Sequence, residues 1–200
     1  VGFVFSSCMS VTLESVAGEK ERGTLATILV TSARRWDIAL GKVLPLSCIS
    51  LIGAASSFLG VALSLPALMG VSIDIAVSGI GLMGYLMVFL LIISFVPLIV
   101  ATIAIVSTLS RSVKEASGYT SVVMILVMVL SIVTAFVGGI GGWVVAVPVL
   151  NAVHAMQGVL MGNMVIWQCV VAFALNIVYA AILVFLIGKM LSSERIMFGK

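Results

Sequence analysis

Few side chains in this chain can carry covalent or metal chemistry. One histidine, His154, and three cysteines, Cys8, Cys48 and Cys169, lie far apart in apolar sequence, so they neither pair at short spacing nor form a metal-type repeat. The cysteines read as small packing residues, and His154 as a hydrogen-bonded structural residue. Neither HExxH nor GxxxxGK[ST] occurs, so no zinc hydrolase site and no ATP-binding P-loop can be assembled. A hydrolase inside a membrane would need a nucleophile beside its base, and one histidine with no suitable carboxylate does not supply that pair. The expectation is no catalytic residue, no metal ligand and no cofactor held by this chain.

What remains is ionic chemistry, and it is concentrated. Residues 14–42, ESVAGEKERGTLATILVTSARRWDIALGK, carry charges of both signs, which is more than a basic anchor requires. Residues 14–22 should continue a preceding helix beyond the membrane. Gly23 is a natural stop because glycine tolerates the left-handed cap conformation, and Thr24 is placed to cap the following turn. Leu25, Ile28 and Leu29 then share one face of a short amphipathic helix. Arg34, Arg35 and Trp36 lead back to the bilayer at Lys42. Such a helix either lies on the lipid headgroups or docks a soluble partner, and periodicity alone leaves both readings open.

The elements that position this segment follow from composition. The 200 residues are 62% hydrophobic and 8% charged, against roughly half and a quarter in soluble domains. So few charges cannot clothe a water-facing surface, whereas a bilayer needs no such cover. The net charge of +3 does not indicate a nucleic-acid binder, because no clustered basic face sits on sequence able to fold in water.

All ten Lys and Arg fall in three clusters: Lys20 to Lys42, Arg111 with Lys114, and Lys189, Arg195 and Lys200. Between them, residues 43–110 hold one charged side chain, Asp74, and residues 116–188 hold none. A span takes about 20 residues, and basic loops prefer the cytoplasm, so each stretch should be a helical hairpin that returns to the same side. Spans are expected near 43–69, 79–108, 119–137 and 165–190, after a partial span at 1–13. That makes five crossings in an all-α polytopic bundle with a cytoplasmic C-terminus, read as one transmembrane domain over 1–200. The opening VGFVFSSCMSVTL reads as a span already under way, hence a C-terminal part of a longer protein. Trp36 and Tyr119 mark expected inner boundaries, and Trp143 and Trp167 outer ones.

Residues 138–163 are apolar and glycine-rich, with Pro148 and Asn151. They are too broken to span and too apolar for an open loop, so they are expected to be re-entrant, a gate-like position. Inside the spans, Pro97 should kink its helix by removing a backbone donor. Asn176 is mid-span and costly if it faced lipid. Pro97, Pro148, Asn151 and Asn176 are therefore the pathway or gate candidates. Small residues in GAASSFLG (53–60), with Gly79, Gly81 and Gly84, permit close helix approach.

These motifs resemble a known family. GEKERGTLATILVTSARRWDIALGKVL looks like the cytoplasmic segment of type-2 ABC exporter permeases, in which a Glu/Lys-rich Gly-Thr turn precedes a coupling helix. RSVKEASGYTSVVMIL is similar to their next cytoplasmic turn. VPVLNAVHAMQGVLMGN and the closing SSERIMFG are similar to the sodium-efflux, NatB-like branch. The resemblance implies a half-transporter membrane subunit that exports its substrate and dimerises with a second permease subunit. ATP and Mg would be bound by a separate ABC ATPase subunit. It further implies that Glu19, Glu21, Arg22, Gly23, Thr24, Leu25 and Ile28 face that ATPase. The remaining alternative is a polytopic membrane protein with a structural or assembly role.

Overall fold

The computed structural model describes residues 1–24, 34–68, 73–136, 147–162 and 165–191, and these are helical, with no strand among them. In chain order the helices are α1 (Gly2–Glu21), α2 (Arg35–Leu68), α3 (Ile73–Leu109), α4 (Val113–Phe136), α5 (Leu150–Leu160) and α6 (Ile166–Met190). Four of them contain stretches long and apolar enough to cross a membrane: Arg35–Ser64, Met83–Leu109, Val113–Thr134 and Ile166–Met190. At 1.5 Å per residue each exceeds the hydrocarbon core of about 30 Å.

Helix α3 is the axis of the bundle and touches all five others. Of its most apolar stretch 67% is buried, against 28% or less in the other three spans. Leu91, Phe95, Val96, Ile99 and Val100 are completely enclosed. The outer helices present large apolar side chains instead, such as Ile52 on α2, Val122 on α4 and Phe185 on α6. Exposed apolar faces of this size on three helices require lipid as solvent.

Close approach is visible where small residues are expected to allow it. A Cβ on Gly53 would fall 2.0 Å from Ser7 Oγ, so α1 and α2 pack at glycine distance there. Gly60 and Gly81 make no such approach.

Two expectations need correction. Helix α2 does not begin near Lys42 but at Arg35; Lys42 lies inside the helix because neighbouring oxygen atoms on α1 receive its ammonium. Pro97 lies inside α3, whose one described interruption of helical dihedrals falls at Gly81, where φ is +73° and ψ is 153°. Helix α4 starts at Val113, several residues before Tyr119, because Ser112 and Glu115 cap it. Within 138–163, residues 147–162 are described. They hold α5, an 11-residue helix of about 16 Å, roughly half the hydrocarbon thickness.

Candidate functional site

The described members of the three basic clusters converge. The end of α1, the start of α2 and the α3–α4 turn lie together at one end of the bundle, joined by polar contacts across helices, and the end of α6 packs on the start of α2 there. Lys20 Nζ donates to the Thr108 carbonyl at 2.7 Å, filling an acceptor left open where α3 ends. Burial holds the Lys20 ammonium below the ordinary lysine range; Glu115 opposes that shift and Arg111 adds to it. The Val113 backbone N–H donates to Glu21 Oε2 at 3.0 Å, so a carboxylate from α1 caps the positive end of α4. Lys42 donates to Glu19 Oε2 and, at 3.4 Å, to the Ser15 carbonyl.

The α3–α4 turn is also capped from within. Ser112 Oγ accepts from the Glu115 N–H at 3.2 Å, while Glu115 Oε2 accepts from the Arg111 N–H at 2.8 Å. This is a capping box displaced by one residue, and its Ser-x-x-Glu signature was readable in RSVKEASG. Tyr119 Oη donates to the other Glu115 oxygen at 3.2 Å.

Gly23 has φ +75°, and its N–H donates to the Lys20 carbonyl at 3.2 Å, as a helix stop at glycine should. Thr24 precedes a turn, the one it is expected to cap, that lies outside the described residues. Its hydroxyl donates back to the Glu19 carbonyl at 3.1 Å, because the reversal at Gly23 leaves the last carbonyls of α1 as the nearest acceptors. Of the residues read as facing a partner, Glu19 and Glu21 are thus committed to α2 and α4. Arg22 stays outward, in a 3.4 Å ion pair with Glu14 whose partners are 72% and 75% exposed. Leu25 and Ile28 lie outside the described residues, as does the rest of 25–33.

The gate candidates fall in two places. Asn176 on α6 is fully buried, and its Nδ2 donates to Ser94 Oγ on α3 at 3.3 Å; the Ser94 hydroxyl in turn donates to the Leu91 carbonyl at 2.9 Å. Asn176 Oδ1 has no partner among the described residues. Pro97 lies one turn from Ser94 along α3. Pro148 is exposed just before α5, and Asn151 is buried in its first turn with Nδ2 unpartnered. Val149 between them holds φ +72°, a strained value for a β-branched residue. Helix α5 is stitched to α4 by Gln157, which donates to the Ser131 carbonyl at 3.0 Å and accepts from Thr134 Oγ1 at 3.4 Å. Sequence reading missed Gln157 and Lys42, since nothing in their spacing names a partner.

No group of three or more His, Cys, Asp or Glu able to hold a metal occurs among the described residues.

Against known families, the chain matches the model described as ABC-2 family transporter protein over residues 1–189. No curated protein and no solved structure matches it. The chain belongs to the ABC-2 transporter family and is a multi-pass membrane protein.

Proposed function

We propose that this ABC-2 family chain is the permease subunit of an ATP-driven exporter, paired with a second permease subunit and powered by a separate ATPase that docks at the charged end. In this reading residues 25–33 form the coupling helix, and 14–42 are the cytoplasmic coupling segment of a single permease domain. Residues 138–163 are the re-entrant segment. The bundle makes five crossings with its C-terminus in the cytoplasm. ATP and Mg belong to the partner. Sodium is the cargo named by the resemblance to the NatB-like branch.

The observation that carries the reading is mechanical. Residues 25–33 run between two anchored ends: Gly23 and Thr24, folded back on α1, and the first turn of α2. The end of α1 is tied to α2 through Glu19 and Lys42, and to the α3–α4 turn through Lys20 and Glu21. A push on that segment therefore reaches three helices at once instead of dissipating in a loose loop. Farther in, the seam between α3 and α6 holds the Asn176–Ser94 pair close to Pro97, a segment with one helical hydrogen bond fewer to hold it straight. Rearrangement there would open and close the path, with α5 as the gate at the opposite end.

The test is co-expression with an ABC ATPase, sought first in the reading frame beside this chain's. Glu21→Ala with Arg22→Ala should reduce co-purification of the ATPase and ATP-dependent efflux at least about tenfold, on the scale of a lost interfacial contact. Asn176→Leu should leave co-purification intact while changing efflux. Unchanged association and transport in the Glu21/Arg22 variant would refute the docking assignment. Sodium efflux from loaded vesicles tests the cargo.

A further inference from the structure

At the charged end, α2 and α6 meet around one tryptophan. The Trp36 ring stands 5.8 Å from Phe185 at 58°. Gly188 lets α6 come so near that a Cβ there would lie 3.5 Å from Trp36 Cα. Both rings stay open on the outer side, with Trp36 39% and Phe185 60% exposed. Arg34 and Arg35 precede Trp36, are exposed, and form no ion pair among the described residues. Lys189 follows Gly188 on α6, and exposed Asp37 is the acid on this stretch of α2.

We propose that this seam binds an anionic phospholipid, with the phosphate against Arg34 and Arg35 and the upper acyl chain along Trp36 and Phe185. The inference needs only that the chain sits in a bilayer, so it stands apart from the ATPase partnership. An exposed apolar floor directly beneath a cationic rim matches a ligand whose anionic head is bonded to a hydrocarbon tail. A free phosphate would leave the rings unused, and a zwitterionic lipid would leave the net positive charge uncompensated. Arginine suits the role because its planar fork binds phosphate oxygens two at a time. Basic clusters between spans on the cytoplasmic side are the sequence-readable form of such sites. Among the described residues of this seam, three cations, Arg34, Arg35 and Lys189, against Asp37 leave a positive excess of two.

The test uses the whole chain, purified in detergent and stripped of lipid, with bound lipid counted by native mass spectrometry. Dioleoyl-phosphatidylglycerol should bind about thirtyfold more tightly than dioleoyl-phosphatidylcholine, on the scale of two net basic residues near an anionic surface. R34Q/R35Q should lower the preference to about twofold or less. R111Q/K114Q, which removes the same charge at the same end, should retain it. Equal affinity for both lipids in the unsubstituted chain overturns the proposal, as does an equal loss in both double variants, which would mean diffuse surface charge. Should R34Q/R35Q fail to fold, W143F/W167F leaves Trp36 as the only indole. Brominated phosphatidylglycerol should then quench it about twice as strongly as brominated phosphatidylcholine in vesicles of equal bromolipid content, and excess inorganic phosphate should not relieve the quenching. Equal quenching, or relief by phosphate, overturns the proposal.

Discussion

Lys42→Met offers the sharpest probe of the charged end. Methionine keeps the aliphatic stem but strands the Glu19 carboxylate. The magnitude depends on how wet the pair is: the Lys42 side chain is 15% exposed and Glu19 33%. Fully exposed pairs are worth about 0–1 kcal/mol, and breaking a buried pair costs about 3–5 kcal/mol. An intermediate site with a second, longer contact from Lys42 to the Ser15 carbonyl should lose about 2 kcal/mol. That corresponds to a fall in apparent Tm of about 4–8 °C for a chain of this size. Removing both charges, Glu19→Met with Lys42→Met, should cost less than Lys42→Met alone, because no uncompensated charge remains. The assay is a double-mutant cycle by detergent-titrated unfolding followed by circular dichroism. Arg22→Met serves as the internal control: its pair with Glu14 is open to solvent and should be worth under about 0.5 kcal/mol. If the Glu19 and Lys42 effects simply add to within about 0.5 kcal/mol, the pair is a surface contact and α1 is not bolted to α2.

Three further outcomes follow from single contacts. Asn176→Leu removes a buried acceptor that has no partner among the described residues while Ser94 keeps its bond to the Leu91 carbonyl, so stability should stay within about 1 kcal/mol. Asn176→Asp should cost about 3 kcal/mol or more as a mid-span anion; equal effects in the same unfolding assay would contradict the buried placement. Gly23→Ala forces φ +75° on a residue with a Cβ and should cost about 1–2 kcal/mol, read as faster amide exchange over the last turn of α1. Gln157→Leu deletes both side-chain bonds between α5 and α4. Exchange in α5 should accelerate roughly tenfold or more, and no change would show that packing alone holds it.

How much of this was legible in the sequence depends on the kind of information. In lipid every backbone group must be satisfied within its own helix, so charge spacing and apolar run length are enough to place helices. The first charge-poor stretch accordingly holds α2 and α3 and the second holds α4, α5 and α6, and four of these contain stretches long and apolar enough to cross a membrane. Gly23 stopped α1 for the reason a left-handed position wants glycine. The start of α2 was misplaced because Lys42 was taken as a water-side marker, when a lysine seven residues into a helix can turn its ammonium toward acidic and carbonyl oxygens of a neighbour.

Which acid meets which base was not legible. Glu19 and Lys42 are 23 residues apart, and Glu21 and the Val113 N–H are 92 apart. Pairing over such distances depends on how each helix is rotated about its own axis. In a soluble bundle an apolar stripe fixes that rotation, but these spans are apolar on nearly every face and carry no such stripe. Rotation must instead be fixed where backbones come closest. Gly53 against Ser7 sets α2 on α1, and Gly188 against Trp36 sets α6 on α2. The first contact turns Lys42 toward Glu19, three helical turns away; the second places Phe185 against Trp36. The glycines were visible as packing residues, yet a glycine does not name the residue it will meet. The small residues therefore hold the register on which the charged contacts depend. Gly53→Leu should consequently weaken the Glu19–Lys42 coupling measured in the cycle above, although neither charge is touched; a coupling unchanged by that substitution would refute the link between helix register and the ion pair.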